Sequence, residues 1–209
     1  MRKSVWISLA IIFLSFIVSA YLYSQLPENM PSHWNAAGDV DGYMPKIWAL
    51  FMMPLVNLGL LGLFVLIPII DPLKHNIEKF RKYYDGLVVL LILFMSYIHF
   101  LTLVAGLGVQ FNMTLAMLPA LGFLFYYMGI LTENAKRNWF VGIRTPWTLS
   151  SEKVWNRTHK KGGKLFKVSG VIAVIGILFG EYAIWFVLVP VLLSAAYLVV
   201  YSYFEYQKK

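Results

Sequence analysis

Three side chains of the first long loop are of types that bind metal ions: the imidazole of His33 and the carboxylates of Asp39 and Asp41. Imidazole and carboxylate groups can hold zinc or manganese, but these three do not have a spacing that a recognised site requires. The D-x-D spacing also resembles the middle of a calcium loop. Its first and last positions would be Ala37 and Trp48, which supply no side-chain oxygen. We therefore expect no metal and no other cofactor, with these three residues as the only metal candidates.

The loop that contains them, Gln25–Lys46, is predicted to be ordered. Its prolines and glycines specify turns, and its three carboxylates against one lysine make it acidic. We interpret it as an Asx-turn loop that holds His33 and Trp34 at the level of the lipid headgroups. The candidate binding residues of this loop are His33, Trp34, Asn35, Asp39, Asp41, Gly42 and Lys46.

A second long segment, Glu133–Lys167, combines an apolar stretch with a basic one. Residues 138–149 carry Arg144 as their only charge, and we expect its guanidinium to reach a lipid phosphate or to pair with Glu133 or Glu152. Pro146 prevents any helix from continuing through it from the preceding residues. The candidate binding residues of this segment are Asn138, Gly142, Arg144, Thr145, Pro146, Trp147, Glu152, Trp155 and His159.

A short amphipathic helix is predicted for Ser151–Lys161, with Ser150 as its N-cap and Gly162-Gly163 as its end. Trp155 and His159 share one face with Val154 and Thr158, and basic residues cover the other. Such a helix lies on a membrane surface or docks a soluble partner, and the pattern allows both.

Two clusters leave open the alternative of a membrane-embedded, possibly metal-dependent, enzyme. One is His33, Asp39 and Asp41, and the other is His159 with Glu152. The predicted topology places the clusters on opposite sides of the membrane, so they cannot form one catalytic site. No catalytic residue is therefore assigned, and the pattern favours a protein that is not an enzyme.

A small-solute or lipid transporter is a second alternative. Ser96, His99 and Thr102 form a polar stripe in one apolar segment, where we expect His99 to hydrogen-bond to a neighbouring helix. No charged residue occupies the middle of any apolar segment, which argues against ion-coupled transport.

The composition defines the elements that must position these residues. Of the 209 residues, 59% are apolar and 13% are charged, too few charges to cover a water-facing surface. Six apolar stretches approach the roughly 20 residues that a membrane-spanning helix needs. They are Val5–Tyr23, Ile47–Ile70, Leu87–Leu107, Met113–Leu131, Val168–Phe179 and Tyr182–Phe204. A tight turn at Gly180-Glu181 is expected to join the last two.

Charge distribution predicts the orientation. With the N-terminus inside, 17 of the 18 basic residues lie on the cytoplasmic side and only Lys46 lies outside. The predicted fold class is an all-α integral membrane protein in the cell membrane, a bundle of about six transmembrane helices with both termini cytoplasmic. The lipid bilayer accounts for the basic face, and no nucleic-acid-binding pattern accompanies it.

The predicted organisation is one compact membrane domain with three parts. Residues 1–70 form a two-helix unit with the outer loop, residues 71–132 form a middle helix pair, and residues 133–209 form the basic segment and the last two helices.

The run Asn138-Trp139-Phe140-Val141-Gly142-Ile143-Arg144-Thr145-Pro146-Trp147-Thr148-Leu149, followed by Glu152-x-x-Trp155, resembles the signature of the SdpI family. The first loop resembles a domain of unknown function that often precedes this signature. It reads Leu26-Pro27, then Pro31-x-His33-Trp34-Asn35-x-x-Gly38-x-x-Asp41-Gly42-Tyr43-x-x-Lys46.

This resemblance implies a prokaryotic multi-pass protein of the cell membrane that acts in immunity and signal transduction. By resemblance, its partners would be an extracellular amphipathic peptide toxin, to which it confers resistance, and a cytoplasmic winged-helix repressor. The resemblance supplies no catalytic residue.

Overall fold

The structure is a computed structural model that describes residues 2–208. Lys209, one of the 17 basic residues counted above, lies outside them. Eight α-helices, one 3₁₀ segment and one β-hairpin follow each other along this part of the chain. Their bounds are α1 Lys3–Leu22, β1 Asn29–Trp34, β2 Val40–Pro45, α2 Lys46–Ile70, α3 Lys74–Lys79, α4 Arg81–Gly106, α5 Met113–Asn134, α6 Pro146–Ser150, α7 Glu152–Ile175, the 3₁₀ segment Gly176–Tyr182 and α8 Trp185–Gln207.

Six of these helical segments are long and apolar enough to cross a membrane: α1, α2, α4, α5, α7 with the 3₁₀ segment, and α8. The predicted fold class, an all-α multi-pass membrane protein, is therefore confirmed, and the orientation of the termini stays a prediction. Lipid chains cannot hydrogen-bond to backbone N–H and carbonyl groups, and a helix pairs these groups with each other. The turn expected at Gly180-Glu181 is present, since Gly180 has a φ of +54° and its carbonyl accepts from the N–H of Ala183.

Helices α5 and α7 approach each other closely through glycines seven residues apart on each. A Cβ placed on Gly170 would lie 2.5 Å from the carbonyl oxygen of Gly122, and one on Gly163 would lie 2.7 Å from that of Gly129. The two backbones thus touch at two levels, as small residues permit in membrane helices.

The prediction that a helix ends at Gly162-Gly163 is wrong. Helix α7 begins one residue later than predicted, with Ser151 as N-cap, and continues without a break to Ile175. Both glycines are buried because they are packing positions, Gly162 against Ile143 and Gly163 against Glu133. The predicted surface helix is therefore the first part of the same helix that forms the fifth span.

Polar side chains link α1, α2 and α4 inside the bundle, and the prediction for His99 is confirmed. Nε2 of His99 donates to Oγ of Ser19 over 2.8 Å, and that hydroxyl donates to the carbonyl of Leu50 over 2.8 Å. A groove of about 290 Å³ between α1 and α4 reaches His99. Its lining is apolar apart from His99 and the hydroxyls of Ser15, Ser96 and Tyr97, so it is an apolar cleft and not a polar path across the bundle.

The α5–α7 contact yields a test. We predict that Gly170→Ala lowers the free energy of unfolding by about 1–3 kcal/mol, because the added methyl group meets backbone atoms that cannot move aside. Thermal unfolding in detergent micelles measures the change.

The matched control is Gly62→Ala, since no atom lies within 4 Å of a Cβ placed on Gly62, which is also in the interior of a spanning helix. This control should be neutral or stabilising by up to about 1 kcal/mol. Equal effects of the two substitutions would contradict the glycine contact.

Candidate functional site

The outer loop folds as an antiparallel β-hairpin, where the sequence led us to expect turns without strands. Strands β1 and β2 pair with His33 opposite Gly42, and bulges interrupt the register on both sides of His33. A Cβ on Gly42 would lie 2.9 Å from that of His33, so glycine makes the pairing possible. Nδ1 of His33 bonds to Oδ1 of Asp41 at 2.5 Å, with both side chains exposed.

Asn35 closes the tip of the hairpin, so the predicted side-chain-closed turn exists inside it. The Asn35 N–H donates to the carbonyl of Asp39 over 2.9 Å, and the Asp39 N–H donates back to Oδ1 of Asn35 over 3.0 Å. Gly38 sits between them with a φ of +93°, a conformation that favours glycine. The role of Asn35 is therefore to shape the turn.

The tip is fastened to the beginning of α5. Nδ2 of Asn112 donates to the carbonyl of Ala37 over 2.6 Å, and Oγ1 of Thr114 donates to the carbonyl of Ala36 over 3.2 Å. Oδ1 of Asn112 accepts from the N–H of Leu115 and caps α5. One asparagine thus joins the hairpin to this helix.

Lys46 fastens the base of the hairpin. Its side chain is 8% exposed, and Nζ donates to Oε1 of Glu28 over 2.7 Å and to the carbonyl of Leu26 over 3.3 Å. The ammonium also lies 4.6 Å from the centre of the Tyr23 ring. These contacts pair the only lysine of the outer loop with Glu28. The carboxylates of Asp39 and Asp41, at the hairpin tip, are exposed.

The hairpin covers a cavity of about 340 Å³. His33, Trp34 and Asn35 line it on one side, together with Ser32 and Ala36. Apolar side chains line the other side, and they come from α4 (Ile98), from α5 (Met113, Met117, Leu118 and Leu121) and from the residue before α8 (Ile184), with Thr114 beside them. Three adjacent residues of the predicted site thus share one concave surface.

The three metal candidates do not come together. His33 and Asp41 form a pair, but no group of three or more His, Asp or Glu side chains that could hold a metal occurs among residues 2–208. Asp39 therefore does not complete a site with them. A pair of exposed ligands is too small a set to hold zinc or manganese firmly.

The segment Ala135–Ser151, which we call the motif loop, is organised around Asn138. This side chain is fully buried and uses every polar function that it has. Nδ2 donates to the carbonyls of Lys136 and Val141, and Oδ1 accepts from the N–H groups of Phe140 and Val141. The four bonds measure 2.6–2.9 Å, so Asn138 holds the loop in shape.

Asp71 anchors the motif loop from a different part of the chain, and the sequence analysis missed it. The residue is 2% exposed, with Oδ2 accepting from the N–H of Trp139 over 2.9 Å and Oδ1 from that of Leu73 over 2.6 Å. The sequence did indicate that Asp71 needs a partner, because it follows the C-terminus of α2, where the helix dipole disfavours a carboxylate. Such a residue needs another partner, and the motif loop supplies one.

His159 and Trp155 form the floor of the motif loop, so the face predicted for this helix is confirmed. Their rings stack at 3.8 Å, and Nε1 of Trp155 donates to the carbonyl of Ala135. Nε2 of His159 accepts from the N–H of Ile143 over 3.0 Å, so Nδ1 carries the proton and donates to the carbonyl of Trp155 over 2.9 Å.

Neither ring nitrogen of His159 is free for acid–base chemistry. The ring is also closed in by Gly142, which has a φ of +118° and where any Cβ would collide with the imidazole. Glu152 is exposed at the start of α7, away from this buried ring. Of the two residues that the enzyme hypothesis used, His159 therefore has the environment of a folded core, and Glu152 lies on the surface.

Thr145 and Trp147 fasten the motif loop to α8. Thr145 forms a capping box with Thr148 at the start of α6, where Pro146 occupies the first turn, and its hydroxyl lies 3.0 Å from that of Ser202. The Trp147 ring meets the edge of Tyr203 at 5.2 Å. The prediction that Pro146 interrupts a preceding helix agrees with this arrangement.

Arg144 and Trp139 are two large side chains that the motif loop leaves exposed, and Lys136 is a third. Nη1 of Arg144 donates to the carbonyl of Trp139 over 2.7 Å, and half of the Trp139 surface is accessible. Of the two partners predicted for Arg144, the carboxylate is wrong, because Glu133 pairs with Lys167 at 2.8 Å and Arg144 uses a backbone carbonyl. The lipid phosphate stays a prediction. Gly142 and Pro146 are exposed beside them.

The two groups of predicted site residues lie at opposite ends of α5. The hairpin is fastened to the first residues of this helix, and the motif loop follows its last residue, Asn134. At 1.5 Å per residue, its 22 residues separate the groups by about 33 Å. They are two surfaces and not one site.

Comparisons with known proteins identify two family models that match the chain. The model of the SdpI/YfhL protein family matches residues 134–202, and that of a domain of unknown function, DUF1648, matches residues 10–58. The chain is 32% identical over 209 residues to the immunity protein SdpI of Bacillus subtilis (strain 168), which covers 100% of this chain and 98% of that protein. No solved structure matches the chain.

The anchor at Asp71 yields a second test. We predict that Asp71→Asn lowers the free energy of unfolding by about 1–3 kcal/mol, because its amide group would face one of the two buried N–H donors that the carboxylate now accepts. Denaturant unfolding in detergent, followed by circular dichroism, measures this change. Asp39→Asn, at an exposed carboxylate, is the control and should be neutral. A neutral Asp71→Asn would show that the motif loop does not depend on this anchor.

Proposed function

Because the chain belongs to the SdpI/YfhL protein family, we propose that it is a membrane immunity protein that recognises an extracellular antimicrobial peptide and recruits a soluble regulator. Its six spans and its family make it a multi-pass protein of the cell membrane. The relative in Bacillus subtilis is named an immunity protein, and we extend that role to this chain.

The observation that carries the proposal is the cavity under the hairpin. Pockets that bind small ligands measure roughly 300–1,000 Å³, and about 340 Å³ suits one or two side chains of a peptide. The floor is apolar, and Trp34 and His33 stand at its wall. An apolar side chain of an amphipathic peptide would be buried there.

Exposed carboxylates near this cavity favour a cationic peptide. Asp39 and Asp41 lie at the hairpin tip, and Glu181 lies three residues before Ile184 of the cavity wall. Lys46 is already paired with Glu28, so it does not offset their charge. Complementary charge of this kind raises the rate of association and selects among partners.

The exposed residues of the motif loop are the proposed contact for the regulator. Arg and Trp are enriched among the residues that dominate binding energy at protein interfaces. Arg144 and Trp139 are held in place by the buried network around Asn138 and Asp71, so a partner would meet them in an ordered arrangement. The partner implied by the resemblance is a winged-helix repressor.

A protection assay tests peptide recognition. The chain is expressed in a strain that is sensitive to an amphipathic peptide toxin, and growth is measured against toxin concentration. We predict that Trp34→Ala lowers the tolerated concentration at least about tenfold, as expected when an anchor residue of an interface is removed. Tyr43→Ala is the matched control, because Tyr43 is an exposed aromatic residue of the same hairpin that does not line the cavity.

Protection by Trp34→Ala equal to that of the unaltered chain would contradict binding in the cavity. Absence of protection by the unaltered chain against every amphipathic peptide tried would contradict the immunity role itself.

A localisation assay tests recruitment separately. A fluorescent winged-helix repressor from the same cell should move to the membrane when toxin is added. We predict that Arg144→Ala abolishes this movement and leaves protection unchanged, while the neighbouring exposed Lys136→Ala leaves both unchanged. Recruitment that survives loss of both Arg144 and Trp139 would contradict the proposed contact.

A further inference from the structure

One face of α7 carries four basic side chains that the proposed function does not use. Arg157, Lys160, Lys161 and Lys164 follow each other at i, i+3, i+4 and i+7, a spacing that brings them together on a helix. With Tyr201 and Glu205 of α8 they line a pocket of about 290 Å³. Four cations thus surround a concave surface that contains one carboxylate.

That carboxylate is already neutralised. Glu205 is 5% exposed and is paired at 2.7 Å with Arg157 and at 2.8 Å with Lys208. Within residues 2–208, none of the three lysines Lys160, Lys161 and Lys164 forms an ion pair with a carboxylate. Like charges at these spacings repel one another, and a bound anion removes that repulsion.

The depth of the pocket points to the source of the anion. Val168 and Val171 lie on the same face of α7, one and two turns beyond Lys164. They are 55% and 50% exposed, and because they are apolar residues of a spanning helix they face lipid. The Tyr197 and Tyr201 rings stack at 5.8 Å on the α8 side. Tyrosines gather at the membrane–water interface, so the lysines lie at the level of the headgroups.

We propose that this pocket is a binding site for the phosphate group of an anionic phospholipid. The lysine ammonium groups would donate to the phosphate oxygens, and an acyl chain would lie along Val168 and Val171. Basic pockets between membrane helices bind lipid headgroups in this way. A phospholipid headgroup and a free phosphate ion both present anionic oxygen atoms to the lysines. The test must therefore separate a lipid from a soluble phosphate.

Retention of lipid on the full-length protein tests the proposal. The protein is purified from nanodiscs that contain phosphatidylcholine with phosphatidylglycerol, and bound phosphatidylglycerol is counted by native mass spectrometry. We predict that Lys160→Gln with Lys164→Gln weakens retention about thirtyfold, because each of the two pocket lysines would lose a contact with the lipid phosphate worth a factor of about five.

Two further variants keep this result interpretable. Lys74→Gln with Lys79→Gln removes two exposed charges from α3 and should leave retention unchanged. Lys160→Arg with Lys164→Arg keeps the charge and should retain phosphatidylglycerol. Equal losses from the α3 pair and the α7 pair, or no loss from the α7 pair, would overturn the site.

Inorganic phosphate identifies the source of the anion. If phosphatidylglycerol occupies the pocket, it should raise the thermal unfolding midpoint of the unaltered protein and not that of Lys160→Gln with Lys164→Gln, while millimolar phosphate leaves both unchanged. Stabilisation by phosphate alone would overturn the lipid assignment in favour of a soluble phosphate. Loss of regulator recruitment in the same variant with unchanged lipid retention would overturn it in favour of an acidic protein surface.

Discussion

The backbone contact between α5 and α7 is the interaction on which the rest of the molecule depends. At Gly122 with Gly170, and again at Gly129 with Gly163, the two helices approach too closely for any side chain. Between lipid chains there is little hydrophobic gain in joining two apolar helices, so contact of this kind supplies much of the attraction. The hairpin is fastened to one end of α5, and the motif loop connects its other end to α7. Both candidate surfaces thus take their positions from this helix pair.

The buried network explains what the motif mainly does. Four polar side chains of the motif hydrogen-bond to the motif loop itself, including Ala135, and to α8. They belong to Asn138, Thr145, Trp155 and His159. An irregular backbone beside a membrane must find partners for its N–H and carbonyl groups, and these side chains provide them. Most residues of the motif therefore specify a shape, and few are free to bind. Arg144 and Trp139 differ from these residues, because their side chains are exposed while the buried network holds them in place.

The six spans could be predicted because a bilayer imposes length and composition directly on the sequence. The continuation of α7 through Gly162-Gly163 could not be predicted, because glycine pairs terminate helices in water but allow close packing between membrane helices. The hairpin was missed because prolines and glycines concealed its alternation, and its bulges broke the register at His33. Asp71 was missed because its partner, the Trp139 N–H, lies 68 positions along the chain, a contact that only the folded chain brings about.

The separation of the two surfaces bears on how one chain could serve both roles of the proposed function. About 33 Å of α5 lies between Asn112, which holds the hairpin tip, and Ala135, whose carbonyl accepts from Trp155 at the floor of the motif loop. A helix packed backbone to backbone against its neighbour moves with it as a rigid unit, because a local bend would separate the glycine contacts. A ligand under the hairpin would therefore act on the motif loop through the position of the α5–α7 pair. Communication would then require that peptide binding and the exposed Arg144 surface favour the same arrangement of that pair, since a ligand shifts an equilibrium only by its difference in affinity for the two states.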